Sequence, residues 1–422
     1  MTKLETLFDA LWPITRSITG NGVRESLDII DTNHLLTRYE IPTGTHVLDW
    51  VVPKEWNPRA AWIKGPNQEK ILDFNNNNLH LLGYSCSVHK QVSLEELKSH
   101  LYVSEVVPHA IPYRTSYYEQ RWGFCMSKDQ YDLLDEGTYE VFIDASLTDG
   151  HMTIADYVKP GLLKDEVLFT SYLCHPSMAN NELSGPLVLS QLMEHIHSLG
   201  ETKYTYRFVI APETIGAITY LDSQGKDLIE HVKAGFVLTC QGTSVPYTYK
   251  RSKRGDGLGD QVVENLLAQE EGSRIVDFYP FGSDERQYCS PGFNLPVGSL
   301  MRSVYLEYDA YHTSADNKDL ISFDAMEEGI EFYKNVIFVL ETNCKFVNLK
   351  PHGEPHLKKY ALMDGLGARS DKGLLHKAIM YLLSYGEGSL SLLDLSNLSG
   401  LSYKVVYEAF ALLRQKSLIK GI

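Results

Sequence analysis

The chain has 422 residues, 43% hydrophobic and 22% charged, enough to bury sizeable cores in two or three domains. A formal net charge of −15 argues against general nucleic-acid affinity. No apolar run approaches the roughly 18 residues of a membrane span, and the charged, amphipathic start MTKLETLFDALWPITRS has no signal-peptide core. Six widely spaced cysteines without a C-x-x-C pair exclude a zinc ribbon and fit reduced thiols in a cytoplasmic protein.

In chain order, residues 1–45 carry two helical patterns, one before Ser17-Ile18-Thr19-Gly20 and one from about Gly22 to Leu36. Residues 46–125 hold short β-type runs broken by Pro53, Pro58 and Pro66, and are expected to form a small inserted β domain. Its aromatic and arginine residues, including Trp50, Tyr113, Tyr117, Arg121 and Trp122, suit either a cover over a site or packing between domains. Residues 126–350, together with 1–45, are expected to form an α/β domain with a mostly parallel mixed sheet flanked by helices. Strands VLFTSYL, TYRFVIA and AGFVLTC alternate there with helices at 185–199, 214–224 and 259–270, and a helix over 323–342 closes the domain.

Three strand tips in that domain carry candidate chemistry. His175 ends an apolar strand and is followed by Asn180, Asn181 and Glu182 before a helix. Glu213 sits where TYRFVIA-Pro212 meets the next helix, where it either complements the helix dipole or acts as a base. His312 precedes Asp316, which either orients that imidazole or caps a helix. The ends of strands in open α/β sheets are where ligands and metals sit. A His, Glu, His set suits metal-assisted hydrolysis, in the order ligand, general base, ligand. Tyr311 is positioned to donate to an oxyanion or to pack, and Arg302 to receive a carboxylate or to pair with a local acid.

With these segments in view, the chain resembles the zinc exopeptidases that include bacterial aminopeptidases and glutaminyl cyclase. More closely it is similar to a bacterial aminopeptidase-like family, some members of which are associated with polysaccharide biosynthesis. The motifs LWPITRSITGNGVRESL, DWVVPKEWNP, TSYYEQRWGFC and GSDERQYCSPGFNLPVGSLMRS carry that likeness over nearly the whole chain. The resemblance makes His175 the first metal ligand and His312 the last, and places Asp284 in an active-site loop that orients substrate or binds its amine. It also exposes departures. Ser177 stands where an Asp would steer His175, and Asn181 stands where an Asp would bridge two metals. A Glu-Glu pair becomes Glu213-Thr214, and Thr239-Cys240-Gln241 replaces an Asp ligand. The resemblance therefore implies one divalent ion, most simply zinc, or a weakened site; His175, Glu182 and His312 are the ligand set, with Asn181 the weaker alternative to Glu182, and Glu213 is the base. The expected activity is hydrolysis of an amide bond in a small peptide or amino-acid/sugar conjugate. The alternative is a non-catalytic binding or regulatory protein whose site has decayed.

Beyond Lys350-Pro351-His352-Gly353, helices at 373–384, about 390–397 and Ser402 to about Lys416, then SLIKGI, predict a winged helix over 351–422. Its third helix is largely apolar, which argues for packing against the α/β domain or a second subunit over reading DNA. A homo-oligomer is compatible with this composition.

Overall fold

The computed structural model describes residues 2–362 and 371–422. The chain divides into two compact units, Met1–Gly259 with Ile275–Ile330, and Asp260–Arg274 with Glu331–Ile422.

The first unit is built on a sheet whose inner strands are apolar along their whole length. Glu166–Tyr172 and Thr205–Ala211 are buried at every residue, as strands covered on both faces must be. They run parallel to each other, and Glu166–Tyr172 also runs parallel to Val232–Leu238, which in turn pairs in parallel with Val297–Met301. Thr37–Pro42 and His151–Lys159 extend one side antiparallel, and Thr248–Lys250 the other. With Arg274–Val276 the sheet has eight strands. The helices Ser184–Ser198 and Ile215–His231 follow the two central strands directly. Gly185 permits the first of these to start against the sheet, because a Cβ there would lie 2.3 Å from the Leu238 carbonyl oxygen. The helical patterns expected near the N-terminus are Lys3–Leu11 and Asn21–Ile30, the second shorter than its pattern suggested.

The small β domain extends further than expected. Glu55–Lys64, Lys70–Asp73 and Val88–Ser93 form an antiparallel sheet with Thr138–Thr148, so the boundary placed at 125 moves to about 148. The reason is visible in the added strand. Tyr139, Val141, Ile143 and Ala145 are buried in alternation, the period of a half-covered antiparallel strand and not of the central sheet.

A buried ion pair fixes the loop that carries Asp284. Lys250 Nζ donates to Glu285 Oε1 at 2.6 Å, to Tyr305 Oη at 2.9 Å and to the Phe281 carbonyl at 2.7 Å, with both charged side chains fully buried. Removing one partner strands the other charge. Glu285→Ala is expected to destabilise the unit by about 3–5 kcal/mol, read as a lower urea midpoint. A change within about 0.5 kcal/mol would show that the pair is not as buried as described.

The second unit contains the winged helix, with the boundary again shifted. Lys345–Asn348, assigned in sequence to the α/β domain, is the central strand between Glu387–Ser391 and Ile419–Gly421. It belongs here because Phe346 is buried and its edges supply the hydrogen bonds of both wing strands. The helices are Asp371–Ser384, Leu392–Ser399 and Tyr403–Gln415, with Gly400 in the left-handed turn between the last two. On the third helix, Tyr403, Val406, Ala409, Phe410 and Leu413 are buried, while Lys404, Glu408 and Arg414 are exposed. Tyr403 and Tyr407 make edge contacts with Phe338 of the same unit at 6.2 and 5.0 Å.

Candidate active site

His175 lies just beyond the strand Glu166–Tyr172, and its imidazole is buried between two carboxylates. Nδ1 is 2.8 Å from Glu182 Oε2, and Nε2 is 3.7 Å from Glu213 Oε2. The second oxygen of Glu182 accepts from the Cys174 backbone N–H, and Arg16 Nε stands 4.0 Å from it. Burial opposes charge on His175, but Glu182 and then Glu213 outweigh it and raise its pKa. Glu213 is pushed up to about 7 by burial, against the pull of His175.

Ala179–Leu183 forms a single π-helical turn, which swings Glu182 back under the strand tip. Asp316 holds that turn, and neither of the roles expected for it is the one formed. Its two oxygens accept from the Asn180 and Asn181 N–H groups at 2.6 and 2.9 Å, and Tyr308 donates to it at 3.2 Å.

His312 reaches the same place from the other side. Its ring centroid is 5.2 Å from that of His175, and Tyr311 stacks on it at 4.0 Å. Its Nε2 is buried with no hydrogen-bond partner. Burial, then His175 and Arg114, drive its pKa down to about 3, so the ring is neutral at pH 7. Tyr113 of the small β domain lies beside both rings, at 4.9 Å from His175 and 5.3 Å from His312, and its N–H donates to the His312 carbonyl at 2.8 Å. That segment therefore does border the site.

Asp284 joins the group through Thr214, whose N–H donates to its Oδ1 at 2.7 Å. Burial and the adjacent Glu213 raise its carboxyl well above the usual range. Arg302 is not brought in: its guanidinium is held by the Val245 carbonyl, Tyr247 Oη and Glu328 Oε2 at 3.1, 2.9 and 2.6 Å. The pairing with a local acid is the one that forms, and this corrects the expectation of a free carboxylate receptor.

The positions where the exopeptidase likeness lacks carboxylates form a neutral network. Tyr172 Oη meets Thr239 Oγ1 at 2.6 Å and donates to the Asn181 carbonyl at 2.8 Å, and Gln241 Nε2 donates to the Thr239 and Leu300 carbonyls. Cys240 is a buried thiol with its pKa pushed up to about 12 by desolvation, a packing group and not a thiolate. Among the described residues, Cys174, His175 and Glu182 form one group whose potential ligand atoms lie within 4.8 Å of one another. Burial, with Glu182 and Glu213 nearby, also raises the Cys174 thiol well above its usual range.

Sequence reasoning missed Arg16 and undervalued Tyr113. Arg16 is fully buried and donates to the His175 carbonyl at 3.1 Å and to the Leu11 carbonyl at 2.8 Å. The available signal was a lone arginine within the apolar run LWPITRSI.

A mixed sheet with His175 and Glu213 beyond the ends of two adjacent parallel strands, and His312 brought in by the turns that follow Val297–Met301 instead of standing at a strand tip as expected, belongs to the fold class of the M28 peptidases. A Bacillus subtilis zinc aminopeptidase superposes with a TM-score of 0.57 at 11% identity, covering 80% of this chain and 94% of that one. A Shewanella amazonensis M28 peptidase precursor gives 0.57 at 14%, covering 80% and 92%. Within that class the chain belongs to the family defined by a domain of unknown function, DUF4910, matched over residues 5–343, and a winged helix-turn-helix matches 344–421. A Clostridium acetobutylicum protein is 44% identical over 415 residues, covering 98% of this chain and 95% of its own. Its name assigns it provisionally to polysaccharide biosynthesis with an aminopeptidase-like domain. A crystal structure of a provisionally assigned peptidase from the same organism aligns over 100% of this chain and 96% of its own, with a TM-score of 0.92 and 42% identity. No described helix is long and apolar enough to cross a membrane.

Proposed function

We propose that this protein is a metal-dependent, aminopeptidase-like hydrolase that cleaves an amide bond in a small peptide or amino-acid/sugar conjugate, using a single zinc ion. The observation that carries the reading is the buried, unpartnered Nε2 of a neutral His312 in a cluster with His175 and Glu213. A buried nitrogen left without a donor costs stability unless it has a use. A cation is one such use: two imidazoles lie 5.2 Å apart by ring centroid, with Glu213 Oε2 3.7 Å from His175 Nε2.

His175 and His312 would hold the ion through their Nε2 atoms. Glu182 is reassigned in this reading from ligand to orienting carboxylate. Its oxygens are spent on His175 Nδ1 and the Cys174 N–H, and the 2.8 Å contact leaves no room for an ion between them. It fixes the tautomer that presents Nε2, the role the missing Asp at Ser177 would otherwise play. Among the described residues, the neutral Tyr172, Thr239 and Gln241 form a network where the likeness would put an acidic ligand of a second ion. A bound zinc would supply Lewis-acid polarisation of the scissile carbonyl and of a water. Glu213 is the group that would accept a proton from the attacking water and return it to the leaving amine. Tyr311, whose phenol is held protonated by burial, is a donor for the developing oxyanion. Asp284, tied to Thr214, keeps Glu213 at its strand tip.

Hydrolysis of aminoacyl amides by the zinc-loaded protein, and its loss on chelation with recovery on adding zinc, tests the proposal. A zinc-loaded protein inert toward a broad aminoacyl and acylated amino-sugar panel would favour the decayed, binding-only alternative. The reassignment of Glu182 has its own test. Glu182→Gln keeps the shape and removes the charge, and is expected to weaken zinc about 10–100-fold in chelator competition. Unchanged affinity would rule the orienting role out.

A further inference from the structure

Arg286 stands beside the catalytic cluster without an ion pair among the described residues. Its Nη2 donates to Thr214 Oγ1 at 3.1 Å, and its Nε is buried with no partner. Acids are at hand, but each is committed elsewhere. Asp284 accepts from the Thr214 N–H at 2.7 Å, Glu285 takes Lys250 Nζ at 2.6 Å, and Glu213 faces His175 Nε2 at 3.7 Å. The guanidinium therefore keeps most of its N–H donors unspent. Arg302, expected from the sequence to receive a carboxylate, is itself spent on Glu328.

Placement ties Arg286 to the reacting groups. Thr214, which holds Nη2, directly follows Glu213, and its φ of 64° is a left-handed conformation that a β-branched residue rarely adopts. Such strain persists where surrounding contacts over-determine it, and it gathers at ligand sites. Here those contacts are Asp284 on the Thr214 N–H and Arg286 on its hydroxyl. The charge of Arg286 also reaches Glu213, Asp284 and Tyr311: burial raises the pKa of all three, and Arg286 opposes it in each. Exposure marks the open side. His175, Glu182 and Asp284 are buried, whereas Glu213, Thr214, Arg286 and Tyr311 are only partly so. A substrate arriving from solvent meets Arg286 together with Glu213.

The chemistry of the reaction says what this arginine would hold. If Glu213 returns a proton to the leaving amine, that amine lies against Glu213, and its substituents fall toward the residues beside Glu213. A carboxylate on the carbon next to the amine nitrogen is then within reach of the guanidinium. It brings one charge and a planar pair of oxygens that match parallel N–H donors. A phosphate dianion would meet more repulsion from Glu213 and Asp284. A neutral group would leave the arginine as it is now, unpaired.

We infer that Arg286 receives the free carboxylate of the amino acid that the reaction releases, so that the substrate is an N-acyl or aminoacyl amino acid. The inference rests on the amide-hydrolase reading and narrows its substrate.

The test is calorimetric titration of the zinc-loaded, full-length Glu213→Gln protein, in which binding is read without turnover. The probes are N-acetylalanine, N-acetylleucine and alanylalanine, each beside its C-terminal amide, and inorganic phosphate. Each acid is expected to bind about 10–100-fold more tightly than its amide, the worth of a charge-assisted hydrogen bond. Adding Arg286→Gln should remove that preference while zinc content and melting temperature change little. Should that variant melt lower, Arg286→Lys decides: it keeps the charge, loses the fork, and should retain only part of the preference. No binding of any acid, equal affinity for acids and amides, a preference that survives Arg286→Gln, or phosphate bound more tightly than every acid overturns the inference. So does an Arg286→Gln change that only moves the pH–rate profile, which would make the arginine a charge-balancing group. Turnover in the unmodified protein separates the two readings. Hydrolysis of acids and amides alike sinks the carboxylate role alone, whereas acid-selective binding without any hydrolysis sinks the hydrolase reading and leaves Arg286 a carboxylate receptor.

Discussion

Glu213→Gln is expected to lower amide hydrolysis by about two to four orders of magnitude, the usual worth of a positioned general base. The substitution is nearly isosteric. It leaves His175 with Glu182 on its Nδ1 edge, so zinc content and melting temperature should change little. The acid limb of the pH–rate profile should change as well. Glu213 must be ionised to accept a proton, and burial has lifted it to about 7 in the metal-free protein. Activity therefore falls as pH drops through its pKa, and a bound cation moves that limb to lower pH by favouring the carboxylate. The limb should vanish in whatever slow rate the Gln variant retains. Turnover within tenfold of the unmodified protein, on a confirmed substrate, would remove Glu213 from the base role.

His312→Phe should separate function from stability. In the metal-free protein His312 carries a buried Nε2 without a partner, an arrangement that costs about 1–3 kcal/mol. Phe fills a similar volume beside Tyr113 and Tyr311 without that orphan. In chelator, the variant should melt at or above the temperature of the parent. With zinc the order should reverse. The parent gains about 2.7 kcal/mol when free zinc is a hundred times its Kd, and the variant, having lost a ligand, gains little. A variant that is less stable in chelator, yet still stabilised by zinc, would show that His312 is a packing residue and that the ion sits elsewhere.

Much of this site was legible in the sequence because strand tips announce themselves. A continuous apolar run ending in a polar loop marks a strand buried on both faces, so His175, Glu213 and the helices after them fell where the pattern put them. What was not legible depended on side-chain direction or on pairing at long range. Glu182 follows His175 by seven residues. Only the π-helical turn over Ala179–Leu183, pinned by Asp316, decides which edge of the imidazole it meets. Asp316 itself was read against its neighbour His312, when its partners lie about 135 residues earlier. The strand Thr138–Thr148 fell in the range assigned to the α/β domain, because only its pairing with Glu55–Lys64 and Val88–Ser93 shows which sheet it completes. The apolar third helix of the winged domain was expected to pack against the α/β domain or a second subunit. It packs on Phe338, from the helix Phe323–Thr342 that the sequence assigned to the α/β domain and whose part from Glu331 on shares the winged helix's unit, and on the neighbouring helices of that unit.

The central claim is that one zinc ion sits on His175 and His312, with the place of a second ion taken by a neutral hydrogen-bond network. Elemental analysis of the purified full-length protein, beside His175→Ala, tests it most directly. The account predicts about one equivalent of zinc per chain, since His175 and His312 are shared by a single ion, and none above background in the variant. Two equivalents at full occupancy, or a His175→Ala protein that keeps its metal, would contradict it.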